Sequence, residues 1–284
     1  MAAIDPELKP GELIPAPGGA YKFDAKEFPW WLVGMLLIIG GMVVAILVSD
    51  AYQEAFTRIL PYPFSWTQGI AITLYLTVGS FVVAIFVGLL LGLARTSKNA
   101  FASNTAGLYI EFVRGIPMLV FIFTIALVIA PDFADLINQP SRSIPQIVRV
   151  GAALAFFYAA FIAEVFRAGI QSVPPTQREA AKALGLTERQ VMRKVVLPQA
   201  VRNMLPALGN DLISLMKDTS LVSVMAVREI TQMARLYSGS SFRFRESFFI
   251  LVVLYVILTL GLSLLLRWYE GRLAIPGNLE SNTA

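Results

Sequence analysis

The chain has 284 residues, 56% of them hydrophobic and 15% charged, with a mean hydropathy of +0.67 and a formal net charge of +4. That balance is more apolar and less charged than an ordinary soluble domain, and the excess apolar surface needs lipid as its solvent. Cysteine and histidine are both absent, which excludes disulfide frameworks, thiolate or imidazole metal sites, thiol nucleophiles and imidazole bases.

Residues 1–28 carry Pro6, Pro10, Pro15, Pro17, Gly18 and Gly19 among scattered charges and read as a tail that buries little. The first apolar run begins only near Trp30, after acidic and proline-rich residues, which is unlike the short basic start of a cleavable signal peptide. Six apolar stretches follow, near 30–48, 67–94, 106–130, 146–168, 203–226 and 246–267, each close to the roughly 20 residues that cross a hydrocarbon core. Backbone in lipid must satisfy its own hydrogen bonds, so the expected class is an all-α membrane protein with six transmembrane helices. The second stretch holds Gly79, Gly88 and Gly92, small residues that let helices approach closely. In the third, Gly115 and Pro117 loosen the helix; the fifth is the least apolar.

Lys and Arg in the connecting segments divide thirteen against six if the chain starts inside and crosses six times, which predicts both termini in the cytoplasm. The cluster at 228–245 is heavy for an outside segment and suggests a surface helix of its own. The longest cytoplasmic connection is then 170–202. It holds two helix-start signatures, Thr176 with Glu179 and Thr187 with Gln190, each read as a capping box. Gly185 stands where the first helix needs a left-handed residue, and Pro198 is expected to stop the second after Val195-Val196-Leu197. Ala180, Ala181 and Leu184 would form a small-residue face beside Glu179, suited to a groove on another protein. Two other readings are a basic hairpin lying on anionic lipid and a DNA-reading helix-turn-helix with Arg189, Arg193 and Lys194. Flanks that enter the membrane within about ten residues leave the latter no freedom to reach a major groove.

Charged groups inside spanning helices cost roughly 2.5 kcal/mol or more, so each asks for a partner or a wet path. Asp211, Ser214 and Asp218 fall at i, i+3 and i+7 on one helical face, with Lys217 on an adjoining strip and Thr219 just beyond. They are candidates for a translocation path in which carboxylate, ammonium and hydroxyl groups meet a zwitterionic solute. The competing reading has Lys217 neutralised by Asp211, by Asp218 or by a partner subunit. Glu111 with Arg114 and Glu164 with Arg167, each at i, i+3, are candidate ion pairs or gate residues. An intramembrane enzyme using Asp211 and Asp218 is a further class, and a stand-alone channel or secondary transporter another.

Several segments resemble one family. Glu179-Ala180-Ala181, then Gly185, then Val195-x-Leu197-Pro198 are similar to the EAA loop of ABC importer permeases. Phe161–Pro174, Glu111–Pro117 and Lys217–Leu221 resemble segments of permeases for polar amino acids, so that the likeness spans about 67–270. Ile116, Phe121 and Thr176 stand where members often have Thr, Gln and Gly. The resemblance implies a five-helix type I importer core over 67–270, preceded by one extra transmembrane helix at 29–49 and followed by a cytoplasmic tail at 271–284. It implies a transport subunit of the bacterial inner membrane that is itself no enzyme and carries amino acids, or another small polar solute. The expected partners are a cytoplasmic ABC ATPase dimer, a second permease subunit, identical or related, an external solute-binding protein and membrane lipid, but no nucleic acid. Glu179, Ala180, Ala181, Leu184, Gly185, Leu197 and Pro198 would couple to the ATPase, which uses ATP and Mg. No cofactor or metal is expected on this chain, and no phosphate-binding G-x-x-x-x-G-K-[ST] loop occurs in it.

Overall fold

The structure, a computed structural model, describes residues 30–59, 66–97 and 99–273. The tail expected at 1–28 lies outside the described residues, as do positions 274–284 of the tail expected at 271–284; residues 271–273 continue the last helix. Two compact units are present, Met1–Gly41 and Met42–Ala284. The first contributes the opening turns of α1 (Trp30–Val48), and the packing described below lies in the second.

Every regular element among the described residues is helical. After α1 come α2 (Asp50–Ile59), α3 (Trp66–Arg95), α4 (Ala100–Arg114), α5 (Met118–Phe123), α6 (Ala130–Leu136) and α7 (Gln146–Gln171). Then follow α8 (Pro175–Ala183), α9 (Glu188–Val191), α10 (Leu197–Asp218), α11 (Ile230–Ser241) and α12 (Phe244–Leu273). Among the described residues, four helical stretches are long and apolar enough to cross a membrane: α3, Met118–Leu136, α7 and Phe244–Glu270. The α1–α2 pair, bent by 88°, makes a fifth if counted as one span. α10 is not among them, because Arg202, Asp211, Lys217 and Asp218 interrupt its apolar surface.

Two of the expected stretches are redrawn. The third does not run through 106–130: α4 stops at Arg114, and a new helix starts at Met118. Pro117 has no N–H and pushes the residue before it out of the helical region, so the chain breaks there rather than loosening. The fifth starts earlier and ends earlier than 203–226: α10 covers Leu197–Asp218, and Thr219–Met225 tightens to a 3₁₀ helix closed by Ala226 at φ 55°. Pro198 does not stop the second helix of the loop either. A π turn at Met192–Val196 carries α9 into α10, with Leu197 N–H bonded five residues back to Met192 O. The wider turn moves the backbone carbonyls out of the register in which the proline ring would strike one. A second π turn at Thr124–Ile129 precedes Pro131 in the same way.

The centre of the fold is the packing of α3 along α7. A Cβ on Gly88 would lie 2.7 Å from Ile162 Cγ2 and 3.0 Å from Ala159 O; one on Gly92 would lie 2.8 Å from Phe166 Cβ and 2.9 Å from Ala163 O. The two glycines, four residues apart, thus let the helix backbones meet across Ala159 and Ala163. Gly79 faces nothing within 4 Å and takes no part in this contact. α7 is the most buried of the spans, with Ala153, Leu154, Ala160 and Ile162 fully enclosed. A second cluster joins Trp66 of α3 with Ile230, Met233 and Ala234 of α11 and Ile250 of α12. α2 closes its edge: Ala55 is fully buried, the rings of Tyr52 and Phe249 are 5.2 Å apart, and Glu54 pairs with Arg243 at 2.7 Å.

Candidate functional site

Two groups of candidate residues take different positions, one at the α8 turn and one along α10. The first is built by local capping. α8 begins at Pro175, whose fixed φ suits the first helical position. Thr176 therefore falls inside the first turn, and no side chain caps this helix; the capping box expected from Thr176 and Glu179 does not form. At the other end Gly185 adopts φ +78°, with Gly185 N–H bonded to Lys182 O at 2.9 Å and Leu186 N–H to Ala181 O at 3.2 Å. These are the two bonds of a Schellman cap. Thr187 and Gln190 then form the capping box of α9, Gln190 Oε1 accepting from Thr187 N–H at 2.9 Å. Lys182 and Glu188 bridge the turn at 2.5 Å.

The expected small-residue face divides. Ala181 is 5% exposed and packs into the core with Leu186, whereas Glu179, Ala180 and Gly185 are exposed and Leu184 is 83% exposed. Ala180 and Leu184, one turn apart, form the outward face, and Ala181 anchors the helix from behind. Leu197 and Pro198 lie beyond the π turn and are exposed.

Along α10 the polar side chains separate as well. Asp218 turns to α7, where Tyr158 donates to its Oδ2 at 2.7 Å. Asp211 is partly buried, and its Oδ2 has no hydrogen-bond partner. Lys217 turns instead to α12 and lines an open hollow with Ser220, Tyr255 and Thr259. No ion pair joins Lys217 to either carboxylate among the described residues. Ser214 is exposed, and Thr219 is buried with its hydroxyl on Met216 O at 2.7 Å. Seven residues of α-helix separate the two carboxylates by about 10 Å along the axis. They cannot share a proton as an aspartyl dyad would.

Arg167 donates to Glu164 at 2.6 Å and to Gln171 Oε1 at 2.7 Å. Glu111 and Arg114 do not pair: the Arg114 guanidinium lies 5.7 Å from the centre of the Phe161 ring, and both residues are exposed. The break at Gly115 ends α4 directly after Arg114, which frees that side chain to reach across to α7.

Three polar residues escaped the sequence reading. Tyr158 was hidden in an apolar run, although a tyrosine between Phe157 and Ala159 in a spanning helix carries a hydroxyl that must find a partner. Glu229 is fully buried and caps α11, accepting from the N–H groups of Thr231 and Gln232 at 2.8 Å each and from Tyr255 Oη at 3.2 Å. Burial pushes its carboxyl up to about 6, against the lowering influence of those donors. Arg178 donates from α8 to Ile170 O at the end of α7, at 2.7 Å.

Comparison with known proteins places this arrangement. Residues 84–275 match the model of the binding-protein-dependent transport system inner membrane component family, which leaves α1 and α2 outside the match. The chain is 36% identical over 208 residues to the glutamine transport system permease protein GlnP of Escherichia coli (strain K12), covering 73% of this chain and 92% of that protein. It is 31% identical over 217 residues to the glutamate/aspartate import permease protein GltJ of the same strain, covering 75% and 88%. The crystal structure of an amino acid ABC transporter with histidines aligns with a TM-score of 0.68 and 34% identity over 76% of this chain and 98% of the other. The chain therefore belongs to the binding-protein-dependent transport system inner membrane component family, the permease subunits of ATP-binding-cassette importers.

Proposed function

We propose that this permease moves amino acids, polar or charged ones, into the cell, driven by a separate cytoplasmic ATPase dimer that docks on α8 and the Gly185 turn. The observation that carries this reading is the outward set of Glu179, Ala180, Leu184 and Gly185, held by the Schellman cap on a chain 36% identical to a glutamine permease protein. ATP and Mg²⁺ are bound by the ATPase, and this chain holds no cofactor. A second permease subunit, a copy or a relative, completes the membrane unit, an external solute-binding protein delivers the solute, and lipid covers the outward faces of α1, α3 and α12. Both termini lie in the cytoplasm of a bacterium, α8 and α9 face the ATPase, and α11 lies on the outer side.

In this reading α1 is the extra helix before a core at 67–270. Asp211, Ser214, Lys217, Asp218 and Thr219 border the translocation path, where the two carboxylates attract the ammonium group of a solute and Lys217 its carboxylate. Glu164 and Arg167 hold the cytoplasmic end of α7 as an ion pair, and Glu111 and Arg114 serve as gate residues. Chemistry on the solute is not part of the cycle.

Reconstitution tests the proposal. The chain is purified with its ATPase, placed in vesicles and supplied with the loaded binding protein and a panel of labelled amino acids. ATP-dependent uptake of a polar or charged amino acid, competed by its analogues, is the expected result. Uptake driven by an ion gradient without any ATPase would overturn it.

A further inference from the structure

We infer that Arg178 is a positioning residue that locks the angle of α8 against the end of α7, so that movement of a docked ATPase reaches α7 and α10 as one rigid displacement. The inference rests on the docking role proposed for α8. Only Ser172, Val173 and Pro174 separate the two helices. The last carbonyls of α7 need partners outside their own helix. Ala168 O takes the Ser172 N–H at 2.8 Å, Gly169 O takes the Ser172 hydroxyl at 2.8 Å, and Ile170 O takes the Arg178 guanidinium at 2.7 Å. A cation at this end of a helix also complements its dipole. The Arg178 Nε is buried without a hydrogen-bond partner, and the residue as a whole is half-buried at the junction of the two helices.

What Arg178 grips is itself held by α10. Asn203 donates to the Ser172 hydroxyl oxygen at 2.9 Å, and Gly169 leaves no room beside Met204, whose side chain would collide with an added Cβ. Farther along α7, Tyr158 holds Asp218. α7 is thus tied to α10 at two levels and to α8 at one. The Lys182–Glu188 pair and the Schellman bonds tie the far end of α8 to α9 rather than to α7. Ala181 also holds α8, through a methyl contact that limits approach and leaves rotation free, because apolar contact has no direction. A planar guanidinium on a carbonyl does have one. Glu179 and Ala180, the next two residues, point outward, so the sequence alternates from the inward lock to the outward docking face within one step.

The chain has no native cysteine, so two introduced ones can carry spin labels without ambiguity. Labels at Ala183→Cys on α8 and Phe156→Cys on α7 report the spread of distances between the helices in the membrane-reconstituted chain. In Arg178→Ala the distribution is expected to broaden at least twofold, and in the unlabelled complex the solute imported per ATP hydrolysed is expected to fall about fivefold, with the ATPase still bound. Arg178→Lys, which keeps a charged donor, is expected to recover at least half of both. Unchanged width and unchanged solute per ATP in Arg178→Ala would overturn the inference, as would equal impairment of the Lys and Ala variants. If Arg178→Ala fails to insert, Arg178→Gln is read in the same two assays against the same limits. A wild-type chain that binds no ATPase would defeat the docking proposal, while the distance measurement on the chain alone still decides whether Arg178 orients α8.

Discussion

Replacing Gly185 perturbs one backbone angle and adds no steric clash. An added Cβ meets nothing within 4 Å, so the cost is that of holding an L-residue at φ +78°. That cost is about 1–2 kcal/mol for alanine and higher for a β-branched residue. It falls on the two Schellman bonds that orient Leu186 and α9 behind α8 and leaves the Thr187–Gln190 box intact. With about 1.4 kcal/mol to a factor of ten, Gly185→Ala is expected to weaken ATPase binding roughly tenfold and Gly185→Val further. Gly185→Asn should stay near wild type, because asparagine tolerates the left-handed region. The assay is titration of the ATPase onto nanodisc-embedded permease, with the melting temperature of the permease measured alongside and expected to fall by no more than a few degrees. Wild-type affinity in the valine variant would refute the reasoning, and so would an asparagine variant as weak as valine.

Gly88→Leu forces atoms onto Ile162 and the Ala159 carbonyl and should cost about 1–3 kcal/mol or more by overpacking, whereas Gly79→Leu has open space and should cost far less. Equal melting temperatures for the two in detergent would contradict the α3–α7 seam. Tyr158→Phe removes the donor to Asp218 at a cost of about 1–3 kcal/mol and should slow uptake, and adding Asp218→Asn should then change little; additive losses in the double-mutant cycle would show that the pair does not act together. Glu229 predicts a pH response. Its carboxyl stands near 6 in the folded chain against 4.5 for the free group, so below 4.5 both states are protonated and burial carries no charge penalty. As pH rises from 4.5 to 6 the unfolded chain gives up a proton that the folded one keeps, and about 2 kcal/mol of stability is lost, with no further change from this group above that window. Glu229→Gln should flatten the melting temperature over that interval; an unchanged slope would remove Glu229 as its source.

The legible parts of the fold were those set by neighbours in sequence. Gly185 and the Thr187–Gln190 box depend on groups within four residues, and α7 on one unbroken apolar run. Thr176 was misjudged because Pro175 competes for the same helix start and wins through its fixed φ. Pro198 was misjudged because a π turn can absorb a proline that an α turn cannot. The polar face of α10 was visible as a face, but its division was not. Which carboxylate meets Tyr158 is decided by a residue sixty positions away, and the turn of Lys217 toward Tyr255 by the placement of α12. Small residues in α3 were visible too, yet only the packing of α7 distinguishes Gly88 and Gly92 from Gly79.

The π turn at Met192–Val196 has a consequence for phase. It holds one more residue than an α turn over nearly the same rise, and each residue of an α-helix advances the azimuth by about 100°. Deleting one residue there would restore an α turn and leave everything after it close to its present azimuth, with Asp218 still at Tyr158 and Asn203 at Ser172, but would bring a backbone carbonyl back under the Pro198 ring. The extra residue thus lets Pro198 enter the helix without turning the α10 carboxylates away from α7.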